Sequence, residues 1–268
     1  MDATVERSAI RKIYWRVLPL AILTYLLCYV DRINVGFAAL TMRGDLHMSA
    51  TNFGFASGIF FWGYFIFEVP SNVIMEKVGA RLWIARIMIS WGILAAATAF
   101  VTGTTSFAIL RFVLGVAEAG FMPGLILYFT LWLPSYQHAR IVAGFLVGLP
   151  IAVALGSPIS TALLSLDGWL GLRGWQHLYI FEGAPTVLMG ILVLFVLTDR
   201  PAQATFLTQP EKDWLIRTLD AERRAKDAVR RLSLWQSLID RRVLLLGLNY
   251  LGIVTASLGM LIFIPQII

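Results

Sequence analysis

Seven stretches of this chain, near 17–38, 53–75, 82–101, 107–130, 140–164, 177–197 and 243–264, are apolar and almost free of charge. Each is close to the roughly 20 residues that an α-helix needs to cross a bilayer. Inside a bilayer only helices and closed barrels satisfy their own backbone polar groups. The pattern therefore predicts an all-α, polytopic membrane protein. Composition agrees, with 58% hydrophobic and 14% charged residues, where soluble domains average about 25% charged. Gly and Pro inside several windows suit membrane helices. The first window follows Arg11, Lys12 and Arg16 as a signal peptide would. No small-residue cleavage pattern precedes Asp31, however, and six more windows follow, so it reads as span one. The single cysteine, Cys28, allows no intrachain disulfide.

The net charge of +6 reflects orientation. With the N-terminus in the cytoplasm, 18 of the 22 Lys and Arg residues fall inside, Arg43 and Arg173 fall outside, and Arg32 and Arg111 lie within spans. This is a positive-inside pattern, and it argues against a nucleic-acid partner. It divides the chain into a cytoplasmic arm (1–16), six spans (17–197), a cytoplasmic central loop (198–242) and a seventh span (243–268). In the loop, Thr208-Gln-Pro-Glu211 has capping-box spacing. Trp214, Leu215 and Leu219 then repeat at helical spacing among charges, which predicts a short amphipathic helix. That helix reads as a solvated connector touching lipid headgroups, with a regulatory site as the alternative.

No nucleotide-binding loop, HExxH motif, EF-hand loop or metal-spaced cysteine pair occurs, and His47, His138 and His177 are far apart. An enzyme, a metal site and a cofactor are therefore not expected. The informative residues are ionisable ones inside spans, which are costly there and usually face a protein interior or a water-filled cavity. They are Asp31, Arg32, Glu68, Arg111, Glu118 and Glu182. Helical rise puts Asp31, Arg32 and Arg111 roughly 8–9 Å below the outer boundary and Glu118 near the midplane. Arg111 and Glu118, seven apart, share a helix face. These four charges sum to zero. Protonating Asp31 and Glu118 would leave two guanidiniums, whose fork suits a carboxylate, so an organic anion and protons could enter together. The alternative is that Asp31–Arg111 and Arg32–Glu118 are static pairs tying helices together. Glu68, near Pro70 and Asn72, could pack or gate; Glu182 could join the site or pack. Tyr29 and Tyr64 lie at similar depth and could line a cavity. Gly120-x-x-x-Gly124 and Gly144-x-x-x-Gly148 read as helix-packing motifs.

Asp31-Arg-Ile-Asn-Val-Gly36, Glu68-Val-Pro-Ser-Asn72, Glu76-Lys-Val-Gly-Ala-Arg81 and Arg111-Phe-Val-Leu-Gly-Val-Ala-Glu-Ala-Gly120 resemble the anion:cation symporter branch of the major facilitator superfamily. So do Leu131-Trp-Leu-Pro134, Gly174-Trp-Gln176, Phe181-Glu-Gly183 and Asp199-Arg-Pro201. Glu76, Gly79 and Arg81 fall in the loop signature between spans two and three, with Glu76 where Asp is commoner. The chain is most similar to tartrate, phthalate and sugar-acid permeases of that branch. The resemblance implies proton-coupled uptake of an organic carboxylate by alternating access. By it, Asp31 and Glu118 would take protons, Arg32 and Arg111 would engage or gate the anion, and Tyr29 and Tyr64 would line the cavity. Family members have twelve spans, so this chain corresponds to the N-terminal six-helix bundle plus a seventh helix, with the C-terminal half as its missing partner. A sodium-coupled variant, and a non-transporting half-protein or nutrient sensor that binds an anion, are the alternatives.

Overall fold

The computed structural model describes residues 2–228, 236 and 239–267. Met1, Ile268 and positions 229–235 and 237–238 of the expected central loop lie outside the described residues. The chain runs through α1 (Asp2–Asp45), α2 (Ala50–Val78), α3 (Ala80–Ala97), α4 (Thr104–Glu118), α5 (Phe121–Trp132), α6 (Ser135–Leu146), α7 (Gly148–Leu164), α8 (Gly174–Val196), α9 (Gln209–Asp227) and α10 (Arg241–Ile267). Six helical stretches are long and apolar enough to cross a membrane: Ala3–Asp45, Ala50–Val78, Ala80–Phe100, Thr104–Trp132, Ser135–Leu164 and Gly174–Val196. They coincide with the first six charge-poor windows. The protein is thus an all-α, multi-pass membrane bundle. Trp62, Phe65, Ile109, Leu188 and Phe195 are exposed on its flank, where lipid rather than water is the solvent. The seventh window is helical as α10, which runs beside α1. Its described apolar side chains, Leu246, Leu248 and Tyr250 among them, are exposed.

Two spans are broken helices, which the apolar windows do not reveal. The fourth stops at Glu118 and restarts at Phe121. Gly120 between them has φ +85, in the left-handed region that glycine enters without a Cβ clash. Gly120-x-x-x-Gly124 is therefore not a plain packing motif, because its first glycine makes the break. Gly144 and Gly148, at the break between α6 and α7, do pack as read. A Cβ on either would sit 3.2 Å from Leu18 Cδ2 or 3.1 Å from Tyr25 Cδ1 of α1.

Glycines let the helices close up: a Cβ on Gly183 of α8 would lie 2.6 Å from Gly92 O of α3, and one on Gly115 of α4 would lie closer still to Phe60 O of α2. The third span packs on the sixth, the second on the fourth and the first on the fifth. Exchanging spans one to three with four to six maps this contact set onto itself. That is the behaviour of two inverted three-helix repeats.

The N-terminal arm does not stand apart from span one. α1 is continuous from Asp2 and at about 1.5 Å per residue extends about 66 Å, roughly twice the hydrocarbon thickness. Ala9, Ile13 and Val17 recur every fourth residue and are buried. They pack towards α9, whose capping box forms as the spacing requires, with Thr208 N donating to Glu211 Oε2 at 2.8 Å. Leu215 is fully buried, Lys12 pairs with Glu211 at 2.8 Å, and Glu222 accepts from Ser135 N at 3.0 Å. The solvated, headgroup-touching connector is corrected accordingly: α9 is docked on protein. Its apolar stripe found a partner in the arm that precedes span one.

Candidate functional site

Asp31 and Arg32 are neighbours on α1, and an α-helix turns about 100° between neighbours. They consequently face different helices. Asp31 is buried in the bundle interior, where its Oδ2 accepts from Trp91 Nε1 of α3 at 3.1 Å and its Oδ1 from Asn34 Nδ2 at 3.3 Å. Arg111 of α4 is buried nearby, facing Asp31 and Tyr179, with its guanidinium 4.6 Å from the Phe60 ring centre. Among the described residues, Asp31 and Arg111 form no ion pair within 4.0 Å. Their attraction acts across the interior.

Arg32 points the other way. It forms an ion pair with Glu118, which is wholly buried, while the Arg32 side chain stays 17% exposed. Cys28 Sγ donates to the same Glu118 Oε1 at 3.3 Å. The rings of Tyr29 and Tyr64 lie 5.6 and 5.4 Å from the guanidinium carbon, within cation–π range. Cys28, Tyr29 and Arg32 come from one turn of α1, Tyr64 from α2 and Glu118 from the last position of α4.

The four charges expected to converge thus divide into two clusters. One is an arginine–glutamate pair with an aromatic surround and a solvent-facing edge. The other is sealed, and a carboxylate absent from the sequence-derived proton pair joins it. Glu182 of α8 is 6% exposed and accepts from Ser160 Oγ of α7 at 3.1 Å. Asn34, Trp91, Cys28 and Ser160 were not singled out as site residues. Asn34 had a legible signal, since it lies three residues after Asp31 and so on the same helix face. Trp91 and Ser160 had none without the packing of α3 and α7.

The remaining candidates lie elsewhere. Glu68 is half-buried on α2, and Asn72 Nδ2 donates to its backbone carbonyl at 2.8 Å. Glu76 is exposed. Gly79 turns from α2 to α3 with φ +100, and a Cβ there would lie 2.8 Å from Asp199 Oδ1. Arg81 N donates to that same oxygen at 2.8 Å, and Arg81 Nε is 3.9 Å from Asp199 Oδ2. The loop signature is therefore clamped by the acidic residue that follows span six, at the N-terminus of α3 where a carboxylate is favoured.

A membrane bundle with exchange-symmetric halves and buried charges between its helices has the build of a secondary transporter. The chain belongs to the Major Facilitator Superfamily, whose family model matches residues 21–268. It is 50% identical to the "Putative tartrate transporter" of Agrobacterium vitis over 268 residues, all of this chain and 62% of that protein. It is 51% identical to the "Putative metabolite transport protein NicT" of Pseudomonas putida over 212 residues, 79% of this chain and 48% of that protein. Both relatives are named as transporters rather than enzymes, and the chain spans less than two thirds of each. Among solved structures, a bacterial homolog of the human lysosomal transporter Spinster, inward-facing and occupied, shares the fold. Its TM-score is 0.64 at 19% identity, covering 69% of this chain and 44% of that one.

Proposed function

We propose that the whole protein is a proton-coupled secondary transporter that takes up an organic carboxylate by alternating access. The substrate class is tartrate, a sugar acid or an aromatic acid. The chain supplies the first six-helix half and the start of the second, in the cell's inner membrane with its N-terminus in the cytoplasm. The observation that carries this reading is the pair of Arg32 with a fully buried Glu118, beside Tyr29 and Tyr64. In the paired state the charge of the guanidinium is met by Glu118, through a single Nη to Oε1 contact. A proton on Glu118 frees the guanidinium, and Arg32, whose side chain is part-exposed, then offers a bidentate fork to a carboxylate. Tyr29 and Tyr64 present ring faces and hydroxyls to the same anion. Release of the proton restores the internal pair and expels the anion.

Asp31 is the second proton-coupling site in this scheme, and Arg111, sealed behind Phe60, compensates its charge and gates it. Glu68 and Asn72, beside Pro70, and the clamped Glu76–Arg81 loop belong to the moving parts. The Agrobacterium vitis relative is named for tartrate, which supports an organic-anion substrate. Uptake of labelled tartrate, galactonate and phthalate by the complete transporter in proteoliposomes, under an inward proton gradient, tests the proposal. Accumulation of any one supports it; none with all three contradicts it. Anion binding without uptake would mark a membrane sensor, and dependence on sodium alone would replace the proton.

A further inference from the structure

We propose that Glu182 binds a proton in the sealed cluster and shares its charge state with Asp31 through Asn34. The inference rests on the proton-coupled reading above for its role in transport, though not for the proton site itself. Glu182 faces Asp31 and Asn34 from α1, Ser160 from α7 and Tyr179 on its own helix. α3 contributes Trp91, which donates to Asp31, and Arg111 of α4 faces Asp31 and Tyr179. Among the described residues no basic side chain pairs with Glu182 within 4.0 Å. Arg32 is committed to Glu118. The cluster therefore holds two carboxylates against one guanidinium, and one proton makes it neutral.

A leftover acceptor on Glu182 says where that proton sits. Glu182 Oε2 and Asn34 Oδ1 are both buried, and neither has a hydrogen-bond partner among the described residues. Buried acceptors are rarely left so, because their desolvation is uncompensated. A proton on Oε2 makes Glu182 neutral and so removes the cost of an unpartnered buried anionic oxygen. The Asn34 amide donates to Asp31 Oδ1 at 3.3 Å and also hydrogen-bonds Glu182, so one amide serves both carboxylates. Asp31 is already served by two N–H donors, which favour its ionised form, whereas Glu182 shares the Asn34 amide with it and takes a hydroxyl from Ser160. Loss of the proton sets two anions on either side of one amide. Like charges sharing a site disfavour joint ionisation, so each carboxylate senses the other.

Infrared difference spectroscopy of the 268-residue chain in lipid, between about pH 5 and about pH 9, reads the site directly. The expected result is a protonated carboxylic-acid C=O band that titrates in the wild type and is lost in Glu182→Gln. A band unaltered in Glu182→Gln, or none in the wild type, overturns the proposal. Should Glu182→Gln fail to insert, Ser160→Ala removes a donor that favours the ionised carboxylate. It should move the band's midpoint to higher pH by about one unit; no movement overturns the proposal. In the complete transporter, gradient-driven uptake should fall at least about tenfold in Glu182→Gln, and unchanged coupling would overturn the transport role. A wild type that ignores the proton gradient defeats the broader function instead, and the infrared band still decides Glu182.

Discussion

Asp31 and Arg32 differ by one position and live in different chemistry. The Arg32 cluster is an ion pair with an exposed edge and two tyrosine rings. The Asp31 cluster is sealed, holds no ion pair within 4.0 Å among the described residues, and is knit by an indole, an amide and a hydroxyl. A helix that places consecutive residues about 100° apart can serve an anion on one face and a proton on the next. The two faces share one rigid element. A change of charge in the sealed cluster can therefore reach the open one through α1, or through α4, which carries both Arg111 and Glu118.

Breaking the open cluster should have the largest effect. Arg32→Ala leaves Glu118 buried without its cation, a change that costs roughly 3–5 kcal/mol in other proteins. Both thermal stability in detergent and uptake should collapse. Arg32→Ala combined with Glu118→Gln should regain most of the stability and none of the uptake. Regained uptake would remove Arg32 from the anion site. Next comes the sealed cluster, where Asp31→Asn should abolish gradient-driven accumulation while counterflow exchange of the anion persists. Loss of both in parallel would mean that the two clusters are one functional unit.

Packing sets a smaller scale. Gly183→Val drives a side chain against Gly92 O at the α3–α8 crossing and should cost about 1–3 kcal/mol, as overpacking usually does. The melting temperature of the purified protein checks it, and no change would show that the helices separate freely.

The smallest effect lies where α9 docks on the start of α1. Burial alone would raise the Glu211 carboxyl, but donors from Lys12, Ser8 and Thr208 more than offset it and hold it at about 2, below the ordinary value near 4.3. A depressed carboxylate stabilises docking above its unfolded value and loses that contribution as pH falls through its folded one. Docking of α9 on α1 should hold from neutral pH to about 4.3 and weaken between there and about 2. Because Lys12 is 35% exposed, Lys12→Ala should cost only about 0.5 kcal/mol. Hydrogen exchange of α9 amides, corrected for intrinsic rates, measures both. Protection that does not change with pH in this window would discount the ion pair.

The sequence exposed the six spans and their basic side because a bilayer imposes a strong compositional signature. It also exposed the capping box of α9, a local device that needs no tertiary partner. The docking of α9 was not legible, because an amphipathic stripe does not say whether lipid or protein covers it. Nor was the break at Gly120, which lies within an unbroken apolar window. The four charges of spans one and four were legible as residues but not as an arrangement. Depth along the membrane brings them together, whereas direction around the helix axis separates them. Glu182 stayed ambiguous for the same reason, since its partners come from α1 and α7 and no local spacing announces them.

The central claim is that anion and proton move together through one protein. Adding tartrate, or whichever screened carboxylate is accumulated, to lightly buffered proteoliposomes of the complete transporter tests it most directly, with external pH recorded and no gradient imposed. The account predicts that external pH rises as the anion enters, and that the rise is lost in Asp31→Asn while labelled anion still exchanges. Anion entry with no pH change in the wild type would contradict it.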